Sequence, residues 1–329
     1  TGKWTYTLDN SLEATQALKE GQTEEVTYTA RVTDDFGAYK DQTITITING
    51  TNDSPVIENV VTELAGIVTE SGNEDDGTGV AGTATVSGQL SASDVDADAT
   101  QTWSITDAAP DATYGTLELN ASTGKWTYTL DNSLEATQAL KEGQTEEVTY
   151  TARVTDDFGA YKDQTITITI NGTNDSPVIE NVVTELAGIV TESGNEDDGT
   201  GVAGTATVSG QLSASDVDAD ATQTWSITDA APDATYGTLE LNASTGKWTY
   251  TLDNSLEATQ ALKEGQTEEV TYTARVTDDF GAYKDQTITI TINGTNDSPV
   301  IENVVTELAG IVTESGNEDD GTGCSGHGH

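Results

Sequence analysis

The chain of 329 residues contains one cysteine, two histidines and no methionine. Cys324 has no partner for a disulfide within the chain, and without a Cys-x-x-Cys pair neither a zinc ribbon nor a thioredoxin-type redox site is available. His327 and His329 lie at the end of the sequence, so its body offers no imidazole for general acid–base catalysis. These absences exclude a disulfide framework and most hydrolytic triads.

Basic residues are also scarce, because 12 Lys and Arg stand against 57 Asp and Glu and the net charge is −45. The chain has no basic patch to neutralise phosphate, which argues against nucleic acid and anionic membranes as partners. No apolar run approaches the roughly 18 to 20 residues of a membrane span, and the sequence opens without a signal-like segment. Hydrophobic residues make up only 34% and aromatic residues 6%, which is close to the composition of disordered chains. Divalent cations are the expected counter-charge.

The sequence nevertheless repeats itself without substitution every 122 residues. The segment Thr-Gly-Lys-Trp-Thr-Tyr-Thr-Leu-Asp-Asn begins at residues 1, 123 and 245. We divide the chain into the C-terminal part of a repeat at 1–53, complete repeats at 54–175 and 176–297, the N-terminal part of a repeat at 298–323, and a tail at 324–329. Each complete repeat has 21 acidic and 4 basic residues, so the acidity belongs to the repeat and not to a tail.

Each repeat alternates large apolar side chains with threonine, the pattern of strands that are buried on one face. The pattern is clearest at 125–130, 147–154 and 164–171. Further candidate strands lie at 56–64, 66–69, 82–90, 101–105 and 115–119. About seven or eight short strands between Gly, Asn, Asp and Pro signals predict an all-β sandwich. Residues 131–143 begin with capping residues and end at a glycine, so we expect a short helical turn there.

The boundaries between repeats are predicted at the polar segment 171–177, Asn-Gly-Thr-Asn-Asp-Ser-Pro, which recurs at 49–55 and 293–299. Such a linker is short and leaves little slack between neighbouring units. We therefore expect sandwiches joined end to end, as a rod or a chain of stiff beads.

Clustered carboxylates are the chemically distinctive feature of each repeat. Asp94, Asp96 and Asp98 alternate along the chain, which places them on one face of an extended segment at about 6.6 Å intervals. Three uncompensated carboxylates repel one another unless a hard cation lies among them. Other oxygen-rich segments are 70–77, Asp156–Asp157 and Asn174–Asp175. Calcium prefers such sites, because it takes six to eight oxygen ligands in a flexible shell.

Acidic loops are usually solvated surface, so the calcium interpretation depends on their combination. The Asp94 segment is not an EF-hand, since Ala99 and Ile105 occupy the positions of its glycine and its glutamate. The nonapeptide of calcium-binding β-helices is absent as well. What favours calcium is that an Asn-Asp linker, a glutamate soon after it and an Asp-x-Asp-x-Asp segment occur in the same repeat.

Several segments together resemble the VCBS repeat, which forms long stretches of large RTX-type adhesins secreted by bacteria. They are Tyr114-Gly-Thr-Leu-Glu-Leu-Asn, Gly124-Lys-Trp-Thr-Tyr-Thr-Leu-Asp-Asn-Ser, Gln138-Ala-Leu-Lys-Glu-Gly, Val154-Thr-Asp-Asp-Phe-Gly-Ala and Thr165-Ile-Thr-Ile-Thr-Ile-Asn-Gly-Thr-Asn-Asp. The resemblance covers residues 1–323. It implies tandem immunoglobulin-like or cadherin-like Greek-key sandwiches, export by type I secretion to the cell surface or the medium, and calcium at the junctions. The stretch 72–79 is longer than the family usually has.

By analogy with cadherin-like linkers, the resemblance also implies a set of calcium ligands. The linker ligands are Asn52, Asp53, Asn174, Asp175, Asn296 and Asp297. The glutamates that follow the linkers are Glu70, Glu192 and Glu314. The alternating aspartates are Asp94, Asp96, Asp98, Asp216, Asp218 and Asp220, and the Asp-Asp pairs Asp156, Asp157, Asp278 and Asp279 complete the predicted set.

The first functional hypothesis is a calcium-stiffened structural extender of an adhesin that acts in cell adhesion and biofilm formation. Its partners are neighbouring repeats of the same chain, and the glycan or surface ligand is bound elsewhere in the parent protein. The second hypothesis is a subunit of an extracellular filament or matrix fibre. The observation behind it is that the chain starts and stops within a repeat. Incomplete sandwiches would expose edge strands that can pair with other copies.

Two other interpretations receive less support. Carbohydrate or surface binding through Trp103 or Trp225 requires these residues to be exposed, whereas tryptophans in sandwiches are more often core. An enzyme is the least favoured class, because paired carboxylates could serve a glycosidase but the small repeat has no insertion to build a cleft. The tail, Cys324 to His329, has ligands for Zn²⁺ or Cu²⁺ but no preorganised site, and we interpret it as an engineered handle.

Overall fold

The computed structural model describes residues 2–73, 79–107, 111–195, 200–229, 233–302 and 310–313. The predicted ligand Glu314, most of the partial repeat at 298–323, the tail at 324–329 and part of the long acidic stretch at 72–79 lie outside the described residues.

The secondary structure consists of strands, four-residue helices and short 3-10 turns. In residues 2–53 the elements are α1 (Glu13–Gln16), β1 (Thr23–Thr33) and β2 (Tyr39–Asn49). In 54–175 they are β3 (Val56–Ile57), a 3-10 turn (Val61–Glu63), β4 (Ala65–Thr69), β5 (Gly72–Asn73), β6 (Gly79–Val80), β7 (Thr85–Gln89), β8 (Ala92–Ser93), β9 (Gln101–Ile105), β10 (Gly115–Leu119), β11 (Lys125–Leu130), α2 (Glu135–Gln138), β12 (Thr145–Asp156) and β13 (Tyr161–Asn171).

The second complete repeat has the same order of elements. They are β14 (Val178–Ile179), a 3-10 turn (Val183–Leu186), β15 (Ala187–Thr191), β16 (Gly194–Asn195), β17 (Gly201–Val202), β18 (Thr207–Gln211), β19 (Ala214–Ser215), β20 (Thr224–Ile227), β21 (Gly237–Leu241), β22 (Lys247–Leu252), α3 (Glu257–Gln260), β23 (Thr267–Thr277) and β24 (Tyr283–Asn293). No helix in the described part of the chain is long and apolar enough to cross a membrane.

Each complete repeat forms a β-sandwich. One sheet has the strand order β4-β13-β12-β9, in which β4 runs parallel to β13 and the other pairs are antiparallel. The other sheet has the order β10-β11-β7 and is antiparallel. The pairs β3-β8 and β5-β6 are short additions to this frame. The second repeat has the same arrangement, whereas the strands of residues 2–53 form a single antiparallel hairpin, β1-β2. The prediction of tandem all-β sandwiches is confirmed.

The core of each sandwich comes from the apolar residues that alternate with threonine. In the first complete repeat, Trp126 and Tyr128 on β11 and Tyr150 on β12 are at most 1% exposed. Val154 and Ile168 are fully buried beside them, and burying an aliphatic side chain of this kind contributes about 1.5–3 kcal/mol. Trp103 and Trp225 are each 5% exposed and belong to the core clusters. Their predicted core role is confirmed, and an exposed tryptophan platform for carbohydrate is not present at these two positions.

Several element boundaries differ from the predictions. The strand predicted at 56–64 ends at Ile57, because the side chain of Glu63 accepts the Val60 amide at 3.2 Å and closes a 3-10 turn. The strand predicted at 82–90 shortens to Thr85–Gln89. The short helix predicted within 131–143 is confirmed at Glu135–Gln138. The hairpin β5-β6 was not predicted.

Candidate metal site between the repeats

The linker Asn174–Ser176 joins the two complete repeats and docks on a loop of the second one. The Asp175 amide donates to Oδ2 of Asp218 at 2.9 Å. The Asn174 side-chain amide donates to Oδ2 of Asp278 at 2.9 Å. The two repeats also meet directly, because the Ala219 amide donates to the Ala139 carbonyl at 3.1 Å. The Asp-x-Asp-x-Asp loop at 216–220 therefore packs against the linker and the end of α2.

The carboxylate of Glu70, in the first complete repeat, lies beside the same linker. It follows β4, and because β4 pairs in parallel with β13, both strands end beside the linker. The Glu70 amide donates to the Asn171 carbonyl at 2.9 Å, and Oε1 of Glu70 accepts the Gln138 amide at 2.8 Å. The residue is fully buried. The strand pairing thus explains why a glutamate 104 positions before Asn174 reaches the linker.

The loop at 216–220 is held by its own hydrogen bonds. The Asp218 amide donates to Oδ1 of Asp216 at 3.1 Å, and Asp220 closes the loop with a φ of 56°. Asp279 supports the loop from the β23–β24 hairpin by accepting the Thr222 amide at 3.0 Å. Asp220 and Asp279 are exposed, whereas Asp218 is 5% exposed.

Burial at this junction disfavours the charged form of the carboxylates. Burial, with the nearby charge of Asp175, raises the pKa of Glu70 to about 8. Burial raises the pKa of Asp175 to about 6, and repulsion from Asp216 adds to this effect. The pKa values of Asp216 and Asp218 are also raised to about 6, mainly by burial and further by the neighbouring aspartates. The four groups form an electrostatically unfavourable cluster in the absence of a counter-charge.

Five buried side-chain oxygens of this junction have no hydrogen-bond partner. They are Glu70 Oε2, Asn174 Oδ1, Asp175 Oδ2, Asp216 Oδ2 and Asp218 Oδ1. Buried polar atoms without a partner are rare in folded proteins and destabilising. The five oxygens come from both repeats and from the linker between them, and every one belongs to a residue that the sequence predicted as a ligand.

The donor set fits a hard cation such as calcium, since it consists of carboxylate and amide oxygens. The ion pairs of the described residues are Arg31–Asp41, Arg153–Asp163 and Arg275–Asp285, so no junction carboxylate in that part of the chain is neutralised by a basic side chain. Among the same residues, no three or more His, Cys, Asp or Glu side chains are arranged closely enough to hold a metal ion. The oxygens have the right chemistry, but they are not closed around one point.

A family model described as the bacterial cadherin-like domain matches residues 52–172 and 174–294. These two matches cover most of the chain and follow each other in tandem. The chain belongs to the bacterial cadherin-like domain family. Domains of this family are structural and adhesive modules. A search of curated protein sequences found no match.

Solved structures with a similar fold include several cadherins. A mouse cadherin-23 fragment, EC22–24, is 15% identical over 89% of this chain and 78% of its own length, with a TM-score of 0.42. A PcdhgB3 fragment, EC1–4, is 15% identical over 89% of this chain and 60% of its own, with a TM-score of 0.45. Protocadherin gamma B2, domains 3–6, is 19% identical over 89% and 63%, with a TM-score of 0.38. The chain thus spans about three fifths of the two protocadherin fragments.

At the linker ahead of the first complete cadherin-like domain, the structure contains the downstream half of this site. This half consists of the Asp-x-Asp-x-Asp loop and the Asp-Asp pair of the repeat that follows the linker. The Asp53 amide donates to Oδ2 of Asp96, and the Asn52 side chain donates to Oδ2 of Asp156, both at 2.9 Å. Asp94 Oδ2 and Asp96 Oδ1 are buried and without a partner, and burial raises the pKa of Asp94. The downstream loop therefore docks on the linker in the same way at both positions.

The Asp-Asp pairs of the cadherin-like domains have a more structural role than the sequence suggested. Oδ1 of Asp156 accepts the amides of Phe158 and Ala160 at 2.9 Å and closes the tip of the β12–β13 hairpin. Burial raises the pKa of Asp156, but these bonds and the one from Asn52 outweigh burial, so its pKa lies below the ordinary value. Asp157 is exposed and accepts the Thr100 amide at 3.2 Å, so it braces the loop that contains the exposed Asp98.

At the linker after the second cadherin-like domain, the structure contains the upstream half of the site. This half consists of the buried glutamate of the preceding repeat and the Asn-Asp pair of the linker. Oε1 of Glu192 accepts the Gln260 amide at 3.0 Å and Oε2 accepts the Thr295 amide at 3.2 Å. Asp297 Oδ2 is buried without a partner, whereas Asn296 is exposed. No Asp-x-Asp-x-Asp segment follows this linker in the sequence. In the part of the chain that the structure describes, Glu192 and Asp297 lie close enough for their charges to interact, and Asn296 precedes Asp297 in the linker.

Sequence reasoning missed two kinds of residue at the junction. Gln138 and Gln260 bind the buried glutamates from the short helices, and Asn73 and Asn195 bind the linker aspartates at 2.5 and 3.1 Å. Neutral amides in short polar segments give no local signal of such a role. Their positions follow only from the pairing of β4 with β13 and of β15 with β24.

Proposed function

We propose that this chain is an extender segment of a secreted bacterial surface adhesin, of the VCBS type found in RTX-type adhesins. In this role its repeats hold an adhesive region away from the cell during cell adhesion and biofilm formation, after export by type I secretion. The tandem bacterial cadherin-like domains support an extracellular structural role. Identical neighbouring repeats support spacing rather than selective recognition, because every repeat presents the same surface.

Calcium is the cation that we propose at the junctions. The observation that carries this proposal is the group of five unpartnered buried oxygens at 70, 174, 175, 216 and 218. Glu70, Asn174 and Asp175 would hold the ion from the first complete repeat and its linker, and Asp216 and Asp218 would hold it from the second. The ion supplies the positive charge that these carboxylates lack, and burial then favours their charged form through direct contact.

Stiffening follows from the origin of the oxygens. A cation held by side chains of both repeats ties the second repeat to the end of the first, in addition to the Ala219–Ala139 backbone hydrogen bond. Without the cation, repulsion among the buried carboxylates opposes the same packing. The angle between repeats is then fixed when the ion is bound and less restricted when it is absent.

Small-angle X-ray scattering and thermal unfolding test this function, each with excess calcium and with excess chelator. We expect a longer maximum dimension and a higher Tm in calcium, because a ligand bound only by the folded state stabilises it by about 2.7 kcal/mol at one hundred times its Kd. The matched control is Asp175→Asn with Asp218→Asn, which should respond less to calcium in both measurements. Identical scattering and melting of the unmodified chain in both conditions would refute the proposal.

Assembly of several copies into a fibre is a second candidate, and one observation favours it. On the hairpin β1-β2, Tyr28 is 51% exposed and Val32 is 70% exposed. Their equivalents in the first complete repeat, Tyr150 and Val154, are at most 1% exposed in the core. Sedimentation at rising protein concentration distinguishes the two functions. Growth of the particle that Val32→Lys prevents would support the fibre, and a single species at all concentrations would exclude it.

A further inference from the structure

A short strand of the first complete repeat lies against the linker without contributing any charge. Gly72 and Asn73 form β5, which pairs with β6. We call these two residues the linker clasp. They come directly after Glu70 and Ser71, and they contact the linker about one hundred residues further along the chain. The predicted set of ligands contains neither of them.

Asn73 makes three hydrogen bonds to the linker. Its side-chain amide donates to Oδ1 of Asp175 at 2.5 Å, and its side-chain oxygen accepts the Ser176 amide at 3.1 Å. Its backbone carbonyl accepts the Ser176 hydroxyl at 3.2 Å. Asp175 Oδ1 is therefore occupied by a neutral donor, while Oδ2 remains without a partner. These bonds fix which oxygen of Asp175 is free.

Gly72 allows this close approach. A Cβ atom at residue 72 would lie 2.5 Å from the Asn174 carbonyl oxygen and 2.9 Å from Cγ2 of Thr173. Contacts below about 3 Å require the backbone of the linker to move, so only glycine fits here. The clasp is anchored one residue earlier, where the Ser71 amide and carbonyl both pair with the Asn132 side chain at 3.0 Å.

The same clasp occurs at the linker after the second complete repeat. Asn195 donates to Oδ1 of Asp297 at 3.1 Å, and it accepts the amide and the hydroxyl of Ser298 at 3.0 and 3.2 Å. A Cβ at Gly194 would lie 2.6 Å from the Asn296 carbonyl oxygen. No Asp-x-Asp-x-Asp loop follows that linker in the sequence. The clasp is therefore built by the upstream repeat alone.

We propose that the linker clasp orders the linker before any cation binds, and that Asn73 is a positioning residue that raises calcium affinity by holding Asp175 with Oδ2 free. The affinity part rests on the proposed calcium function. The ordering part does not, because all the clasp hydrogen bonds join groups of the chain itself. Residues that orient a metal ligand without touching the metal are known to change affinity by about 10- to 100-fold.

Hydrogen exchange of the Ser176 amide, measured by NMR in excess chelator, tests the ordering. We expect this amide to be protected in the unmodified chain, and Asn73→Ala to remove the protection while Asn195→Ala leaves it unchanged. Ser54 belongs to the linker at 52–54, for which the sequence contains no residue equivalent to Asn73. Its amide is the unprotected reference. Asn73→Asp retains an acceptor for the Ser176 amide and should retain part of the protection. Unchanged Ser176 exchange in Asn73→Ala would overturn the proposal.

Calorimetric titration with calcium chloride tests the affinity. Asn73→Ala should weaken the tight site at the complete junction about tenfold. Asn195→Ala makes the same change at a linker without a downstream loop, and it should leave the tight site unchanged. Equal affinities of the unmodified chain and Asn73→Ala would overturn the positioning role. If the unmodified chain takes up no calcium, the proposed function fails together with that role, while the exchange experiment still decides whether the clasp orders the linker.

Discussion

The linkers at 52–54 and 174–176 have the same sequence but different surroundings. Asp175 is 1% exposed and Ser176 is 6% exposed, whereas Asp53 is half-buried and Ser54 is exposed. Both linkers bind the downstream loop through the same amide-to-aspartate hydrogen bond of 2.9 Å. The difference comes from the upstream repeat, which supplies Glu70 and the linker clasp only at 174–176. In the described part of the chain, an identical peptide thus becomes part of a buried carboxylate cluster where two complete sandwiches meet.

The linker at 296–298 has the upstream half of the junction, whereas the linker at 52–54 has the downstream half. Glu192 is as fully buried as Glu70, and burial raises the pKa of both residues. At the complete junction the charges of Asp175 and Asp218 add to the effect and bring the pKa of Glu70 to about 8. Glu192 has both carboxylate oxygens hydrogen-bonded, while Glu70 Oε2 has no partner. Each half therefore has one or two unpartnered buried oxygens of its own, and the group of five is present where both halves meet.

The largest difference between junctions is expected from Asp218→Asn compared with Asp96→Asn. Asp218 provides an unpartnered buried oxygen at the complete junction, and Asp96 provides the equivalent oxygen where Glu70 and the clasp have no counterpart. Asp218→Asn should weaken the tightest calcium site by more than about tenfold, which corresponds to about 1.4 kcal/mol. Asp96→Asn should leave that site unchanged in the same calorimetric titration. Equal losses in the two variants would show that the junctions do not differ.

Glu70→Gln is expected to have a smaller effect. It should stabilise the chain without calcium and weaken the binding of calcium when the ion is present. Removing a charge that burial disfavours should raise the Tm in chelator, and removing a ligand should weaken calcium binding several-fold. Glu192→Gln is the matched control at the incomplete junction, and it should leave the tight site unchanged. Thermal melts in both conditions check this prediction, and a lower Tm of Glu70→Gln in chelator would contradict it.

The stability of the metal-free chain should depend on pH through the same cluster. The pKa of Glu70 is raised from 4.5 to about 8, and those of Asp175, Asp216 and Asp218 from 3.8 to about 6. The folded state therefore binds protons more tightly than the unfolded state, so the free energy of unfolding should increase as the pH falls from about 8 towards about 4.5. Denaturant unfolding in chelator at several pH values measures this change in the free energy of unfolding.

The control for this pH dependence is the variant in which all four acids are replaced by Gln or Asn. The overall negative charge of the chain also responds to pH, but it does so similarly in both proteins. The unmodified chain should gain more stability on acidification than the variant. Parallel curves for the two proteins would mean that the cluster is not buried at the junction.

The smallest effect is expected from Asp220→Gly. Asp220 is exposed and closes the loop with a positive φ of 56°, a conformation that glycine adopts without strain. The substitution should change the affinity of the tight calcium site by less than about twofold, since Asp220 contributes no buried oxygen. Asp98→Gly makes the same change at the first linker and should also be neutral. A large loss confined to Asp220→Gly would add this residue to the ligand set.

The strands of the fold could be predicted well where the pattern of burial was local. The predictions at 101–105, 115–119 and 125–130 agree with β9, β10 and β11. The prediction at 56–64 was wrong beyond Ile57, because the carboxylate of Glu63 competes for backbone amides and turns the chain. The hairpin β5-β6 gave no periodic signal, because each of its strands has only two residues.

The acidic members of the candidate site could also be predicted, since carboxylates at short spacing are visible in the sequence. Their grouping at the junctions was implied only by the resemblance, and spacing alone could not place Glu70 at the linker 174–176, because that contact depends on the parallel pairing of β4 with β13 across about one hundred residues. The same pairing brings in Gln138 and Asn73, whose neutral side chains look like those of any polar loop. Asp156, a predicted ligand, also accepts amides of the hairpin tip and of Asn52, a role that its sequence spacing did not indicate.

The most direct test of the account is anomalous X-ray diffraction from crystals of this chain grown in calcium. We expect an anomalous peak between the two complete repeats, within coordination distance of the free oxygens of Glu70, Asp175 and Asp218. We also expect weaker or absent peaks at the linkers 52–54 and 296–298. A clear peak at those two linkers with none at 174–176, or calcium found only on exposed surface carboxylates, would contradict the account.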